Sequence, residues 1–522
     1  MKSKAVVELT VCFAIMSLVF LGGCGSDESA PSIDTSFIPQ TVFFNDTGST
    51  EYYLFQGRAT DNTNVDSVEV SGDNGTNWQA AVIDNDPPNE DWDAQWSYLA
   101  SSGVLSAGMH TVLVRAADRD GNETISTPVI VDVNVGSTIG SLLAVFSGPL
   151  PGGAIGLSTG EGFAYGDSAG SLTIPINTSL IVLGSGYGST ATSGGLIPLA
   201  DPTATILEAD PATASLFSVD ADLTLKNMRL LGAESAIRIS DSGGPDPQLS
   251  VEACLFDKQA AWAIFAEDDD TAVSVEVAAS IVDASQADSS SRGGIYLSNV
   301  SYSVDGSAIY FQTDPGGPAD STVQGAGVQA FEGTGEITET VFEDNALAIW
   351  ASGGDSVITS CNISSTANTT YGINLTGDPG TALIRRNTID GNTGYGLRVG
   401  GEMELILRKN AITNNELSGV LIDSTLSNTN LTKINMGTTT DRGNNLFDNN
   451  VHPDGAGGQD TQVYVTLATS EGSTLIPANW NYWGVSTISG VNLVIIDGND
   501  NAGRATLGIG SFWSAINSEV GP

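Results

Sequence analysis

Histidine, methionine and basic residues are scarce in this chain of 522 residues. Two His and six Met are too few to supply the nitrogen and sulfur ligands that copper and zinc sites need. The 18 Lys and Arg face 61 Asp and Glu, which gives a formal net charge of −43. So acidic a surface argues against nucleic acid and anionic lipid as partners over most of its area. Calcium, which binds oxygen ligands, is the metal that the composition permits.

Long apolar runs are also lacking, apart from one near the N-terminus. Residues 11–21 follow Lys2 and Lys4 and are too few to predict a membrane span. The run ends in Leu-Gly-Gly-Cys at 21–24, which resembles the lipobox of bacterial lipoproteins. The resemblance implies a signal peptide over 1–23 and a lipid on Cys24 that anchors the mature chain. Gly25 after that position implies the outer membrane of the cell envelope rather than the inner one.

Two segments of different character follow the leader. Residues 24–35 are polar and contain Pro, which predicts a flexible tether. Residues 36–135 contain about seven alternating strands separated by Gly, Asn and Asp turns, which predicts a β-sandwich. On residues 57–62, 77–79 and 108–122, this sandwich resembles the immunoglobulin-like domains of bacterial surface proteins.

Irregular repeats occupy the chain from about residue 223 to 483. One apolar register position recurs every 21 to 35 residues, at Leu230, Phe256, Val282, Ile309, Phe342, Ile363, Ile389, Ile412, Phe447 and Tyr482. Two residues earlier stands a small or polar side chain in most copies, and three residues later Asn recurs at Asn345, Asn392, Asn415 and Asn450. Repeats of this length indicate stacked units that bury a face only against their neighbours.

The repeats carry short strands with period-2 alternation and no apolar pattern of helical length. The prediction is an all-β chain in which residues 136–522 form a right-handed parallel β-helix of about twelve coils after the sandwich. The segments 383–392, 405–415 and 479–484 resemble the pectin-lyase-like superfamily. A short helix over 142–154 is expected to cap the open end of the helix, and 479–500 to close the other end.

The superfamily resemblance leaves the activity open, because its members include lyases, hydrolases, esterases and binding or spacer proteins. The Asp cluster with Gly-His-Gly of the polygalacturonase-like hydrolases and the basic motif of the pectate lyases are missing. The leading hypothesis is a lipid-anchored, non-catalytic envelope protein whose β-helix binds a glycan or another envelope component. The alternatives are a calcium-assisted lyase acting on acidic polysaccharide and a purely structural stalk.

Basic residues concentrate between 385 and 442, where seven of them lie. Arg385 and Arg408 both stand four residues before the register position, and Arg386 and Lys409 stand three before it. These like charges are therefore predicted to stack about 5 Å apart on adjacent coils. Such stacking is unfavourable unless acids or a bound anion neutralise it.

Two interpretations of this basic stack remain open. Glu402, Glu404 and Glu416 could neutralise it locally, in which case it serves the fold. Alternatively it binds an acidic polysaccharide, or supplies the base of a lyase, with Tyr371 and Tyr395 as aromatic subsites.

The candidate calcium ligands are Asp268, Asp269 and Asp270, which belong to a dense run of carboxylates. A solvated acidic turn is the competing interpretation.

The sequence also predicts that Cys254 and Cys361 are unpaired. Both stand two residues before the register position, but four coils apart. At about 4.8 Å per coil they are separated by about 19 Å, which is too far for a disulfide.

Overall fold

A computed structural model describes residues 29–521 except 37, 45–51, 63, 85–92, 136–153, 159, 166–172, 186–188, 193–194, 199–204, 210–213, 241–245, 270–271, 285–292, 311–325, 366–370, 378, 424–432, 452–460, 467–474, 498–504, 517 and 519–520. The chain divides into two compact units, one of Met1–Val42 with Tyr52–Asn134 and one of Phe43–Glu51 with Val135–Pro522. Cys24 and almost all of the expected cap over 142–154 lie outside the described residues.

The first unit is built from antiparallel strands. One sheet contains Ser32–Asp34, Tyr52–Thr60, Val82–Asp84 and Asp93–Ser101, and the other contains Val65–Ser71, Gln79–Ala80, Gly108–Asp118, Glu123–Ile125 and Val129–Val135. Alternate residues of the long strands are buried, among them Tyr53, Phe55, Trp96 and Val114. This alternation is expected for sheets that bury one face and leave the other in water.

The second unit is a stack of coils in which three parallel sheets run along the axis. Sheet 1 contains Ala154–Leu157, Leu180–Leu183, Leu223–Lys226, Gln248–Glu252, Ser274–Ala278, Ser301–Asp305, Thr334–Thr338, Gly354–Thr359, Gly380–Arg385, Met403–Arg408 and Ile434–Asn435. Sheet 2 contains Gly160–Tyr165, Thr205–Ala209, Arg229–Gly232, Leu255–Asp257, Ile281–Asp283, Ala308–Tyr310, Val341–Glu343, Asn362–Ser364, Thr388–Asp390, Ala411–Thr413, Leu446–Asp448, Asn481–Tyr482 and Phe512–Trp513.

Sheet 3 contains Ile174–Ile176, Ser215–Val219, Ser235–Ser240, Trp262–Glu267, Gly293–Ser298, Ala326–Phe331, Leu347–Ser352, Tyr371–Leu375, Tyr395–Val399, Val420–Ile422, Val463–Val465 and Ile495–Ile496. A hairpin of Ser189–Thr192 and Gly195–Pro198, a parallel pair of Leu475–Pro477 and Thr506–Gly508, strand Thr41–Phe44 and the short helix Ile488–Val491 complete the described elements. Twelve strands in sheet 3 agree with the predicted number of coils, so the parallel β-helix is confirmed.

The corner between sheets 1 and 2, here called the 1–2 corner, is a left-handed turn in coil after coil. Its residue stands three before the register position and has a φ between 46° and 60° at Asn227, Ala253, Ala279, Gly306, Glu339, Ser360, Arg386, Lys409, Asn444 and Trp480. Most of these are not glycine, so the stacked backbone itself holds a conformation that L residues rarely adopt.

A ladder of buried side chains runs inside the 1–2 corner. Asn387, Asn410, Asn445 and Asn481 follow one another there, and each amide oxygen accepts the backbone N–H of the preceding member at 3.0 to 3.1 Å. Because every coil ends its strand at the same point, one side chain per coil satisfies the N–H that the turn leaves unpaired.

The last register position differs from the sequence-based prediction. Strand pairing places Tyr482 opposite Leu446, so Trp483 rather than Tyr482 lies on Phe447. The two rings stack with centroids 4.8 Å apart and planes 11° apart. The prediction of Tyr482 was wrong because two adjacent aromatic residues offered the same apolar signal, and only the Asn481 ladder position separates them.

The two cysteines occupy the ladder positions that the sequence predicted. Cys254 and Cys361 are free and buried, and Ser280, Ser307 and Thr340 stand between them on the ladder. Burial raises the pKa of both thiols to about 12. They therefore act as small buried groups in the core.

Candidate functional site

Aromatic rings line the outer side of sheet 3 across successive coils. Side chains alternate between the core and the outer face of a strand, and Phe265, Tyr296 and Trp350 occupy outward positions between fully buried neighbours. Strand register pairs Arg238 with Phe265 and Phe265 with Tyr296. Together with Trp262, Phe331, Tyr371 and Tyr395, these rings form what we call the aromatic strip.

Rings on four successive coils of the aromatic strip contact one another. Phe265 stacks on Tyr296 with centroids 4.7 Å apart and planes 5° apart. Phe331 bridges to Tyr296 at 5.7 Å and to Trp350 at 5.1 Å. Trp262 reaches Tyr296 at 5.3 Å. Mutual contact fixes the orientation of each ring, so the strip presents preformed apolar faces.

Gly293 makes room for one of these rings. A Cβ at that position would lie 1.9 Å from the Trp262 ring, which occupies the space above the neighbouring coil. A larger residue there would push Trp262 away from Tyr296.

Two arginines border the aromatic strip. The guanidinium of Arg238 lies 4.9 Å from the centre of the Phe265 ring, and that of Arg398 lies 5.3 Å from Tyr371. Arg398 also binds Asp423, with its Nε 2.6 Å from the carboxylate, so its charge is neutralised locally. Tyr371 in turn stacks on Tyr395 at 5.8 Å.

The predicted stack of basic residues is present in the backbone. Arg385 and Arg408 are Cα partners on adjacent strands of sheet 1, which confirms the register. The Arg408 side chain, however, is buried, donates to the Leu407 and Asn435 carbonyls at 2.8 Å, and forms an ion pair with Asp441. Hydrogen bonding to Arg408 lowers the pKa of Asp441.

Arg408 is therefore neutralised locally, as one of the two interpretations proposed for the basic stack, but by Asp441 and not by Glu402, Glu404 or Glu416. Glu404 stands four residues before Arg408 on an extended strand, about 13 Å away along the chain, which is too far for contact. Glu402 and Glu416 are exposed, and neither forms an ion pair with another described residue.

The structure separates the two groups that the sequence had joined in one candidate site. Tyr371 and Tyr395 belong to sheet 3, whereas Arg385, Arg386 and Lys409 lie at the 1–2 corner. The aromatic subsites and the basic residues of the lyase hypothesis thus lie on different parts of the coil.

Of the candidate calcium ligands, Asp268 has a carboxylate that accepts hydrogen bonds from the backbone. Asp268 is buried, and its two carboxylate oxygens accept N–H bonds from Asp269, Ala272 and Val273 at 2.8 to 3.0 Å. Asp269 is exposed, and Asp270 lies outside the described residues. Within the described part of the chain, no group of three or more His, Cys, Asp or Glu could hold a metal ion.

The sequence-based reasoning missed Trp262, Phe265, Tyr296, Phe331 and Trp350. Their signal was an aromatic residue in the apolar stretch after each register position. Connections of unequal length between sheets 2 and 3 hid the alignment, because the register had been anchored in sheet 2.

A comparison with family models agrees with these sheets. A model described as a right-handed β-helix region matches residues 293–469, which include the coils of Tyr296, Trp350 and Lys409. The second unit is a right-handed parallel β-helix. Among curated proteins, none matches the chain. No helix among the described residues has the length and apolar character needed to cross a membrane.

Proposed function

We propose that the protein is a lipid-anchored envelope protein that binds a glycan along the aromatic strip without cleaving it. The observation that carries the proposal is the continuous contact of rings across the right-handed β-helix, from Phe265 through Tyr296 and Phe331 to Trp350. A purely structural stalk has no need for partly exposed aromatic side chains that contact one another on adjacent coils, because such side chains cost solubility.

The strip has the shape that an extended sugar chain requires. Sugar rings present C–H faces that pack on aromatic rings, and half-exposed aromatics offer such faces with little loss of side-chain entropy. From the coil of Phe265 to that of Tyr395 there are five steps of about 4.8 Å, so the strip is roughly 24 Å long. Several consecutive sugar units can lie along it.

The two arginines near the rings favour binding over a lyase with an arginine base. Lyases and hydrolases of glycans place a base or a pair of carboxyl groups beside the bound sugar. Of the two arginines that border the described strip, Arg398 is held by Asp423 and Arg238 lies over Phe265. Neither arrangement releases a group to accept a proton.

The proposed protein is anchored to the membrane by a lipid at its N-terminus. The segment 21–24 supports cleavage before Cys24 and attachment of lipid there, in the outer membrane. Residues 24–35 then act as a tether, and the antiparallel unit, as an immunoglobulin-like domain, spaces the β-helix from the lipid surface. A fatty-acid analogue should label the wild-type protein and fail to label Cys24→Ser, and equal labelling of both would contradict the anchor.

Glycan binding is tested with a glycan array followed by calorimetry on the strongest ligand. The double variant Phe265→Ala with Tyr296→Ala should bind at least tenfold more weakly, because it removes the stacked pair. Tyr310→Ala, which removes a half-buried ring from sheet 2, is the matched control and should bind as wild type.

Two results would contradict the proposed function. Wild-type affinity in the double variant, with an unchanged melting temperature, would remove the aromatic strip from binding. Release of products that absorb in the ultraviolet, as the new double bond of a lyase product does, would make the protein an enzyme.

A further inference from the structure

A second surface of the β-helix follows the 1–2 corner towards the C-terminus. The corner residues Arg386, Lys409, Asn444 and Trp480 lie on four consecutive coils. Lys409 N–H donates to the Gly443 carbonyl at 2.8 Å, and Asn444 N–H donates to that of Trp480 at 2.8 Å. The side chains on this corner therefore follow one another at intervals of about 4.8 Å.

The first two of these coils carry cations that no acid of the described chain neutralises. Arg385, Arg386 and Lys409 are exposed and form no ion pair with any described residue. Among the described residues, their one side-chain bond runs from Arg385 Nε to the Thr359 hydroxyl at 3.3 Å. The nearby Asp441 is already engaged by Arg408. The corner is thus a positive surface on a chain whose formal net charge is −43.

The next coils add stacked tryptophans. The guanidinium of Arg442 lies 4.6 Å from the Trp480 ring and 5.6 Å from the Trp513 ring. The two rings are 5.2 Å apart, and Trp513 Nε1 donates to the Asn444 side chain at 3.0 Å. Cations and half-exposed aromatic faces therefore follow one another along one edge of the β-helix.

We propose that Arg385, Arg386, Lys409, Arg442, Trp480 and Trp513, here called the corner strip, bind a glycan that carries carboxylates, such as a chain of uronic acids. The corner strip lies apart from the aromatic strip of sheet 3, and its function is independent of the one proposed there.

The chemistry of the corner strip matches this ligand on two counts. A guanidinium binds a carboxylate through two parallel N–H bonds, and Arg385 and Arg386 offer two such groups on one coil. Trp480 and Trp513 offer faces for the apolar sides of sugar rings, which inorganic polyanions do not have. Carboxylates that repeat along an extended polymer can meet cations that repeat along the coils.

The left-handed backbone at this corner does not require Arg or Lys. Arg386 and Lys409 adopt φ of 57° and 56°, and the same position accepts alanine, serine, glutamate, asparagine and glycine in other coils. Adjacent like charges repel each other, so both residues oppose stacking unless a ligand offsets the repulsion. A bound polyanion provides that offset.

The test uses the mature protein and a uronic-acid hexasaccharide, with binding measured by calorimetry. Wild type should bind it, a neutral hexasaccharide should not displace it, and the affinity should fall as salt screens the charges. The double variant Arg386→Gln with Lys409→Gln should bind at least tenfold more weakly. Its melting temperature should be unchanged or higher, because the repulsion is gone.

A matched control removes the same charges elsewhere. Arg119 and Lys258 are exposed and form no ion pair within the part of the chain that the structure describes, and Lys258 also has a left-handed backbone, with a φ of 61°. Arg119→Gln with Lys258→Gln should retain wild-type affinity. An equal loss in both double variants would show non-specific attraction and overturn the proposal.

Two further outcomes distinguish the corner strip from the aromatic strip as the binding site, and a glycan from an inorganic polyanion as the ligand. Loss of uronate binding in Phe265→Ala with Tyr296→Ala, but not in the corner variant, would assign the uronate to the aromatic strip. Equal binding of inorganic tripolyphosphate would show that the corner strip recognises charge alone and would overturn the assignment to a glycan.

Discussion

The ladder inside the 1–2 corner is built differently in its two halves. From Cys254 to Cys361 its members are thiols and hydroxyls, and from Asn387 onward they are amides. In the first half a single oxygen accepts one N–H, as Ser280 Oγ does from Cys254 at 3.1 Å. In the second half the oxygen of Asn410 accepts both the backbone N–H and the side-chain N–H of Asn387, each at 3.0 Å. The amide half therefore ties adjacent coils with more hydrogen bonds.

The outside of the corner changes at the same place. Over the thiol and hydroxyl half the corner residues include Ala253 and Ala279, and over the amide half they include Arg386 and Lys409. Repelling cations on adjacent coils must be held together by the backbone and by the groups beneath it. The amide ladder therefore supports the coils that carry the charged surface.

Replacement of one amide should have the largest effect. Asn410→Ala removes the acceptor of two Asn387 N–H groups and the donor to the Ile384 carbonyl, all fully buried. We expect a loss of about 4 kcal/mol in the free energy of unfolding, since each unsatisfied buried group costs about 1–3 kcal/mol. Urea unfolding monitored by tryptophan fluorescence measures it.

Asn362→Ala is the control for this prediction. Asn362 is exposed, stands one position after the ladder residue Cys361, and has no side-chain bond among the described residues. Its replacement should change the free energy of unfolding by less than about 0.5 kcal/mol. Equal losses in the two variants would mean that the ladder amides contribute no more than surface amides.

Replacement of a hydroxyl in the thiol and hydroxyl half of the ladder should destabilise the fold less than Asn410→Ala does. Ser280→Ala leaves only the Cys254 N–H without its acceptor and removes one bond from Ser280 Oγ to the Ala278 carbonyl. The expected loss is about 2 kcal/mol in the same urea assay. A loss as large as that of Asn410→Ala would mean that the amide half of the ladder contributes no more stability per residue than the hydroxyl half.

The interior ladder could be predicted from the sequence, unlike much of the surface. The interior ladder was visible because each coil repeats the same short signal, a polar residue two positions before an apolar one, as in Asn387 with Ile389 and Asn410 with Ile412. The backbone corner forces this repeat, because one N–H per coil needs a partner there.

The surface was less predictable, because no such constraint acts on it. The aromatic strip depends on which residues of sheet 3 face outward after connections of unequal length, so Phe265 and Trp350 carry no fixed spacing from the register. The pairing of Arg408 with Asp441 was missed for a related reason. Asp441 lies 33 residues later in the chain and reaches Arg408 only through the stacking of the next coil.

The two ladder thiols should weaken the protein at alkaline pH. Burial raises the pKa of Cys254 and Cys361 to about 12, whereas an unfolded thiol ionises near about 8.5. The neutral form is thus favoured in the fold, and stability that is complete below about pH 8.5 is lost as the pH rises towards 12. By pH 9 the loss is about 1 kcal/mol per thiol.

Urea unfolding at pH 7 and pH 9 measures this loss, and Cys254→Ala with Cys361→Ala should make it smaller. The native protein should also resist thiol reagents at pH 8 and react at both ladder cysteines once unfolded. Rapid reaction of either thiol in the native protein would mean that the ladder is open to solvent.

The smallest effect concerns the ion pair on the charged half. Asp441→Asn removes the partner of Arg408, but Arg408 retains its bonds to the Leu407 and Asn435 carbonyls. The Asp441 side chain is 65% exposed, so solvent weakens the pair, and the expected loss at pH 7 is below about 1 kcal/mol.

Arg408 lowers the pKa of Asp441. The pair therefore stabilises the fold above about pH 3.9, the unfolded value, and its contribution is lost as the pH falls below it. Melting curves of wild type and variant should differ slightly at pH 7 and converge towards pH 3. A loss of several kcal/mol would instead make this pair, and not the amides beneath it, the support of the charged coils.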